Sequence, residues 1–250
     1  MTAAAIAVRG LGKDFGSLRA LDGLDLEVRE GEFFGFLGPN GAGKTTTVHL
    51  LATLLAPSRG AARVAGYDVV RHALAVRRSI GLVFQETTLD RDLTIDENLR
   101  FAARLWDLPR RVATPRIDQL LGQFGLAARR GEPVRALSGG LRRALDIARG
   151  ILHEPRVLFL DEPTAGLDPR ARRSLWQLIR GLRAASGLTV FLTTHYVEEA
   201  EPCDRVAVLE AGRLVALGAP ADLKREADVG SLEEVFLART GHPLAAGGAA

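Results

Sequence analysis

The chain has 250 residues, 33 basic against 30 acidic and 47% hydrophobic, a balance ordinary for a globular protein with a full core. The net charge of +3 nominates no nucleic-acid partner. A single cysteine, Cys203, excludes an intrachain disulfide and a cysteine metal cluster and reads as a small semi-buried side chain in a reducing compartment.

The start, Met1 to Arg9, shows no basic region followed by an apolar stretch, so no secretory signal is expected. No uncharged apolar run has the length a membrane-spanning helix needs. Residues 1–30 alternate apolar and polar, as in Leu24-Asp25-Leu26-Glu27-Val28, which predicts antiparallel strands with one wet face. Phe33 to Leu37 is apolar throughout, the pattern of a buried parallel strand. It runs into Gly38-Pro39-Asn40-Gly41-Ala42-Gly43-Lys44-Thr45, and Thr45 to Leu55 then predicts a helix stopped by Pro57.

Ser79 to Phe84 predicts another strand, ending at Gln85. Beyond it the pattern turns helical: Thr94-Ile95-Asp96-Glu97 is a capping box, and Thr114-Pro115 predicts a capping hydroxyl before a first-turn proline. Leu137-Ser138-Gly139-Gly140 is a second glycine-rich motif. The apolar strand Val157 to Leu160 ends in Asp161-Glu162, Asp168-Pro169 caps a helix, Leu188 to Leu192 is a strand, and Val206 to Leu209 with Arg213 to Leu217 form a hairpin around Ala211-Gly212. The expected organisation is one α/β domain over residues 1–240. Residues 1–85 and 156–225 form a core of mainly parallel sheet with an antiparallel β subdomain, 86–155 an inserted helical subdomain, and 226–240 a short C-terminal helix. Gly241 to Ala250 are expected to be a disordered tail.

The glycines of the first motif let backbone N–H groups turn inward around phosphate oxygens, assisted by the positive end of the following helix. In that cradle of Gly38, Pro39, Asn40, Gly41, Ala42, Gly43, Lys44, Thr45 and Thr46, Lys44 reaches the β- and γ-phosphates and the Thr45 hydroxyl ligates Mg²⁺. Asp161 can hold the metal's water shell opposite Thr45, and Glu162 can act as general base on the attacking water. His195 and Gln85 each stand at a predicted strand end, where ligands of parallel sheets sit, and Gln85 is placed to sense Mg²⁺ or water. Phe15 can stack on an adenine ring. A lone His, Gln or Phe is more often plain core or surface, whereas the acidic strand end, paired with the lysine loop, reads as catalytic.

The order of these motifs, Phe15, Lys44-Thr45, Gln85, Leu137 to Gly140, Leu158 to Pro163, Ala165 to Asp168 and His195, resembles the ATP-binding subunit of ABC transporters over nearly the whole chain. The resemblance implies the ABC ATPase fold and ATP hydrolysis with Mg²⁺. Phe15 stands where the family usually has an adenine-stacking Tyr, and Gln85 where a glutamine couples nucleotide state to the membrane subunit. Ser138, Gly139 and Gly140 match the signature that binds the γ-phosphate held by the opposite subunit, and Asp168 the aspartate linking the two sites. Leu141 departs from the usual Gln. The segments Gln85 to Asp90, Leu141 to Ala148 and Ser231 to Leu237 resemble daunorubicin-resistance-type drug-export ATPases.

The expectation is a homodimer closing over two ATP and driving a separate integral membrane permease from the cytoplasmic face of the membrane, with a drug-like or lipid-like substrate. The alternatives are a soluble ABC-type ATPase, an importer ATPase, or a module that binds ATP without turnover. The first lacks room here for a long coiled-coil insertion between Lys44 and Ser138, and Glu162 with His195 speaks against the last.

Overall fold

The computed structural model describes residues 4–244. Strands β1 (Ala4–Phe15) and β2 (Leu18–Arg29) pair antiparallel, and β4 (Arg59–Val64) and β5 (Tyr67–Asp68) extend them into a sheet of order β2-β1-β4-β5. The alternation in β2 does what period two requires: Leu24, Leu26 and Val28 are buried while Asp25 and Glu27 face water.

The second sheet has the order β10-β9-β3-β8-β7-β6. Its strands β3 (Phe33–Leu37), β6 (Ile80–Val83), β7 (Val157–Asp161), β8 (Thr189–Thr194) and β9 (Arg205–Glu210) run parallel, and β10 (Arg213–Gly218) returns antiparallel to β9. All five residues of β3 are buried, because both its faces are covered. Phe33 and Leu37 join a core shared with the helical segment, and Phe34 and Phe36 one shared with the antiparallel sheet. On that second face Phe191 meets Phe34, Phe36 and Phe159 with ring centroids 5.6, 5.3 and 5.5 Å away, the offset spacing aromatic rings prefer.

Helix α1 (Lys44–Leu51) follows the glycine loop and ends earlier than the expected Leu55, at Ala52, with Thr53 left-handed. Helix α2 (Ala73–Ser79) leads into β6. Between β6 and β7 lie α3 (Ile95–Leu105), α4 (Arg110–Gln123) and α5 (Gly139–Gly150). The Thr94 and Glu97 capping box forms as read, each side chain satisfying the other's backbone N–H. Thr114 caps nothing: α4 begins at Arg110, since the N–H groups of Val112 and Ala113 both reach the Pro109 carbonyl, and Pro115 lies inside the helix. Pro115 deletes one main-chain bond there.

Asp168 caps α6 (Pro169–Ser186), accepting from the Arg170 and Ala171 N–H groups at 2.9 Å. The short α7 (Val197–Ala200) comes after β8. In place of one C-terminal helix there are two, α8 (Pro220–Ala227) and α9 (Leu232–Thr240): Asp228 turns left-handed to end the first, and Ser231 with Glu234 forms a capping box that restarts the chain. The expected tail begins ordered, with Gly241 closing α9, His242 edge-on to Phe236 and Leu244 buried; residues 245–250 lie outside the described residues.

Candidate nucleotide site

β3 points the glycine loop at the carboxyl ends of the parallel strands, and β6, β7 and β8 end beside it. Gly43 adopts φ 103°, and a Cβ there would stand 2.7 Å from the Ala20 carbonyl oxygen and 2.8 Å from a Leu21 methyl, so only glycine fits. That turn brings Lys44 Nζ back over its own loop, donating to the Gly38 and Pro39 carbonyls at 2.8 and 3.0 Å.

The acidic strand end divides its two carboxylates. Asp161, still in β7, accepts from the Thr45 hydroxyl at 3.3 Å and from the Thr193 hydroxyl. Glu162 leaves the strand with φ 44°, a left-handed conformation that a non-glycine residue holds only when its surroundings impose it. Here its N–H bridges the Thr193 carbonyl and hydroxyl, both at 3.1 Å. The twist turns the Glu162 side chain toward Lys44 Nζ, 3.2 Å from Oε1, and His195 Nδ1, 3.1 Å from Oε2. The His195 approach is off the hydrogen-bond direction, so Nδ1 makes no hydrogen bond; the ring packs tilted against Tyr196, centroids 4.0 Å apart.

These groups open into a cleft of about 1220 Å³ that Phe15, Gln85, Lys44, Thr45, Glu162 and His195 line together. Phe15 is 44% exposed at the end of β1, free to offer a ring face, with Lys13 Nζ 5.0 Å from its centroid. Gln85 is exposed just past β6, its backbone carbonyl held by Arg143 at 2.5 Å. For Mg²⁺ the donor chemistry fits: a hydroxyl and a carboxylate oxygen side by side suit a hard cation. Among the described residues no group of three or more His, Cys, Asp or Glu gathers to hold a metal.

Ser138, Gly140 and Asp168 do not enter this cleft. They line a separate cavity of about 650 Å³ with Leu141 and Ala171. Ser138 is exposed and caps α5, accepting from the Leu141 N–H at 3.4 Å, so the helix's N-terminal amides and the hydroxyl face outward together. Leu141 packs against the core beside them. Backbone hydrogen bonds from Ala171 and Arg170 hold the Asp168 carboxyl below its usual range.

Sequence reasoning missed Leu18, 66% exposed beside Phe15 in the cleft, and Thr193, whose hydroxyl joins Asp161 to the Glu162 backbone. It also missed Glu199, whose buried carboxylate accepts from the Thr164 and Thr194 hydroxyls. The hydroxyl-rich end of β8 was the available signal, and it has meaning only once β7 lies beside it.

Comparison with known proteins finds relatives over most of the chain. The ABC transporter family model matches residues 21–165. A daunorubicin resistance ATP-binding protein of Streptomyces coeruleorubidus is 51% identical over 90% of this chain and 72% of its own length. A Nod factor export ATP-binding protein of Ralstonia nicotianae is 45% identical over 87% of this chain and 68% of its own. A solved ATP-binding subunit of an ABC transporter superposes with a TM-score of 0.84 at 30% identity, covering 94% of this chain and 99% of that one.

Proposed function

The chain belongs to the ABC transporter family as an ATP-binding, ATP-hydrolysing subunit homologous to export ATPases, and on that premise we propose that it works as a homodimer closing over two ATP. The observation that carries this reading is the division of phosphate-binding groups between two surfaces: Lys44 and Thr45 line one cleft, Ser138 and Gly140 another. One nucleotide in one subunit meets only the first, and a second copy facing it head to tail supplies the second.

In this reading Phe15 and Leu18 take the adenine, the Gly38 to Thr46 loop wraps the phosphates, and Lys44 contacts the β- and γ-oxygens. Thr45 and Asp161 would hold Mg²⁺, with Gln85 at its edge; the ion would supply neutralisation of charge on the phosphates. Glu162 takes the proton of the attacking water, and His195 steadies the γ-phosphate and orients that water. The partner's signature, Ser138 to Gly140, closes on the γ-phosphate, and Asp168 lies at the same junction. Loss of that phosphate removes the bridge between subunits and favours reopening.

Family members act with membrane permease subunits, and no helix among the described residues is long and apolar enough to cross a membrane. We place the subunit at the cytoplasmic face, bound to a permease along the groove beside Gln85 and residues 86–104, where Phe101 and the neighbouring Leu105 stand exposed on α3. The names of the relatives, one for daunorubicin resistance and one for Nod factor export, favour export, and we take the substrate to be a drug-like or lipid-like molecule.

Size-exclusion chromatography with ATP tests the composite site. The Glu162→Gln chain should run as a dimer, and adding Ser138→Arg should return it to monomer while nucleotide binding persists. A double variant that still dimerises would refute the shared site.

A further inference from the structure

We propose that Glu199 is a positioning residue for hydrolysis, tying the turn beyond Glu162 to the strand end that carries His195; this rests on the reading of Glu162 and His195 as the hydrolytic pair.

Glu199 is 2% exposed, on the four-residue helix α7. One carboxylate oxygen accepts from Thr164, just beyond Glu162, and the other from Thr194, just before His195, at 2.6 Å. Both hydroxyls belong to buried residues. Thr194 Oγ1 also accepts the Tyr196 N–H at 2.9 Å, so its own proton is committed to Glu199. The carboxylate therefore spans two chain segments far apart in the sequence.

A buried carboxylate is a costly way to fill space, and an apolar side chain would pack α7 more cheaply. Burial holds the Glu199 carboxyl above its ordinary range, against the lowering effect of the two threonine hydrogen bonds and of the charge on Arg172, whose guanidinium lies 4.6 Å over the Tyr196 ring. The Thr164 turn is stiff in its own right, with Ala165 N–H on the Glu162 carbonyl and Leu167 N–H on the Thr164 carbonyl. It runs on to Asp168 in the signature cavity. Glu199 thus joins two elements: the turn that follows Glu162 and leads to the signature cavity, and the strand end that precedes His195. Because Glu162 and His195 already approach at 3.1 Å without a hydrogen bond, their mutual placement depends on such outer support.

The test uses the full chain, with steady-state phosphate release giving kcat and KM for ATP and a thermal midpoint measured on each variant. Glu199→Gln keeps the shape but presents a donor where an acceptor stood. It should lower kcat by about tenfold with KM within about twofold of wild type, the size of effect that outer-layer carboxylates have at other sites. Thr194→Val and Thr164→Val should lower kcat in the same direction, and Glu199→Gln/Thr194→Val should be no slower than the slower single variant. Unchanged kcat in Glu199→Gln, or effects that multiply in the double variant, would overturn the proposal. Should Glu199→Gln not fold, the two valine variants decide it: wild-type kcat in either one overturns it. Glu162→Gln and His195→Ala run alongside; turnover retained in both would sink the hydrolytic-pair reading instead.

Discussion

Replacing Glu162 by Gln should tighten ATP binding while nearly abolishing hydrolysis, and the reason lies in where Lys44 spends its charge. Its ammonium lies 3.2 Å from Glu162 Oε1, with the two side chains only 5% and 9% exposed. At an effective dielectric of about 20 the Coulomb attraction of such a pair is about 5 kcal/mol, and desolvation of both groups consumes much of it. A phosphate entering the cleft competes with this carboxylate for Lys44 and is repelled by it. Gln retains the volume, leaves Lys44 its bonds to Gly38 and Pro39, and removes both the competition and the repulsion. If about 1.4 kcal/mol of the attraction survives desolvation, ATP affinity rises about tenfold. Loss of the base should lower kcat by about a hundredfold or more. Fluorescent-nucleotide titration and phosphate release measure the two effects separately. Weaker ATP binding by Glu162→Gln, or turnover within about tenfold of wild type, would refute the reasoning.

Lys44→Ala removes the phosphate's cationic partner and should weaken ATP binding by about thirtyfold or more, as loss of about 2 kcal/mol requires; equilibrium titration that finds wild-type affinity would contradict the assignment. Phe15→Ala should weaken ATP about tenfold, the scale of a lost base stack of about 1–3 kcal/mol, and Phe15→Tyr should restore it in the same titration. His153 stacks on Trp106 with centroids 3.8 Å apart, its Nε2 2.8 Å from the Ile80 carbonyl oxygen. Burial holds its pKa below the ordinary imidazole value against the raising effect of that hydrogen bond, with the Arg116 charge adding to the depression. The unfolded chain then binds the proton more readily than the folded one, so stability is lost as pH falls through the ordinary imidazole range toward the folded pKa. Urea titrations from about pH 7 to about pH 5 should show a shallower fall for His153→Gln, and an identical slope would exclude this contribution.

Legibility in the sequence tracked the range of the interactions. The capping boxes at Thr94 and Ser231 and the Asp168 cap are bonds between residues three apart or fewer, so local residue types announce them, although the Ser231 box was not among the expected caps. Thr114-Pro115 carried the same local look and was wrong, because the Pro109 carbonyl had already started α4. The hydroxyls of Thr193 and Thr194 were invisible as site residues for a different reason: their partners, Asp161 and Glu199, are set by how β7, β8 and α7 pack.

The sequence by itself determined the phosphate loop, because glycine spacing, Lys44 and the flanking strand and helix patterns are properties of one continuous segment. It determined as well that a second glycine-rich motif stands at Ser138 to Gly140. Tertiary structure alone decided which side chains face each other. It turned Glu162 off the strand axis toward Lys44 and His195 while Asp161 stayed with Thr45, and it kept Ser138 out of the cleft those residues share. The physical reason is that a hydrogen bond or ion pair needs contact within a few ångströms, and for residues far apart in the chain only the packing of the sheet and its helices sets that distance.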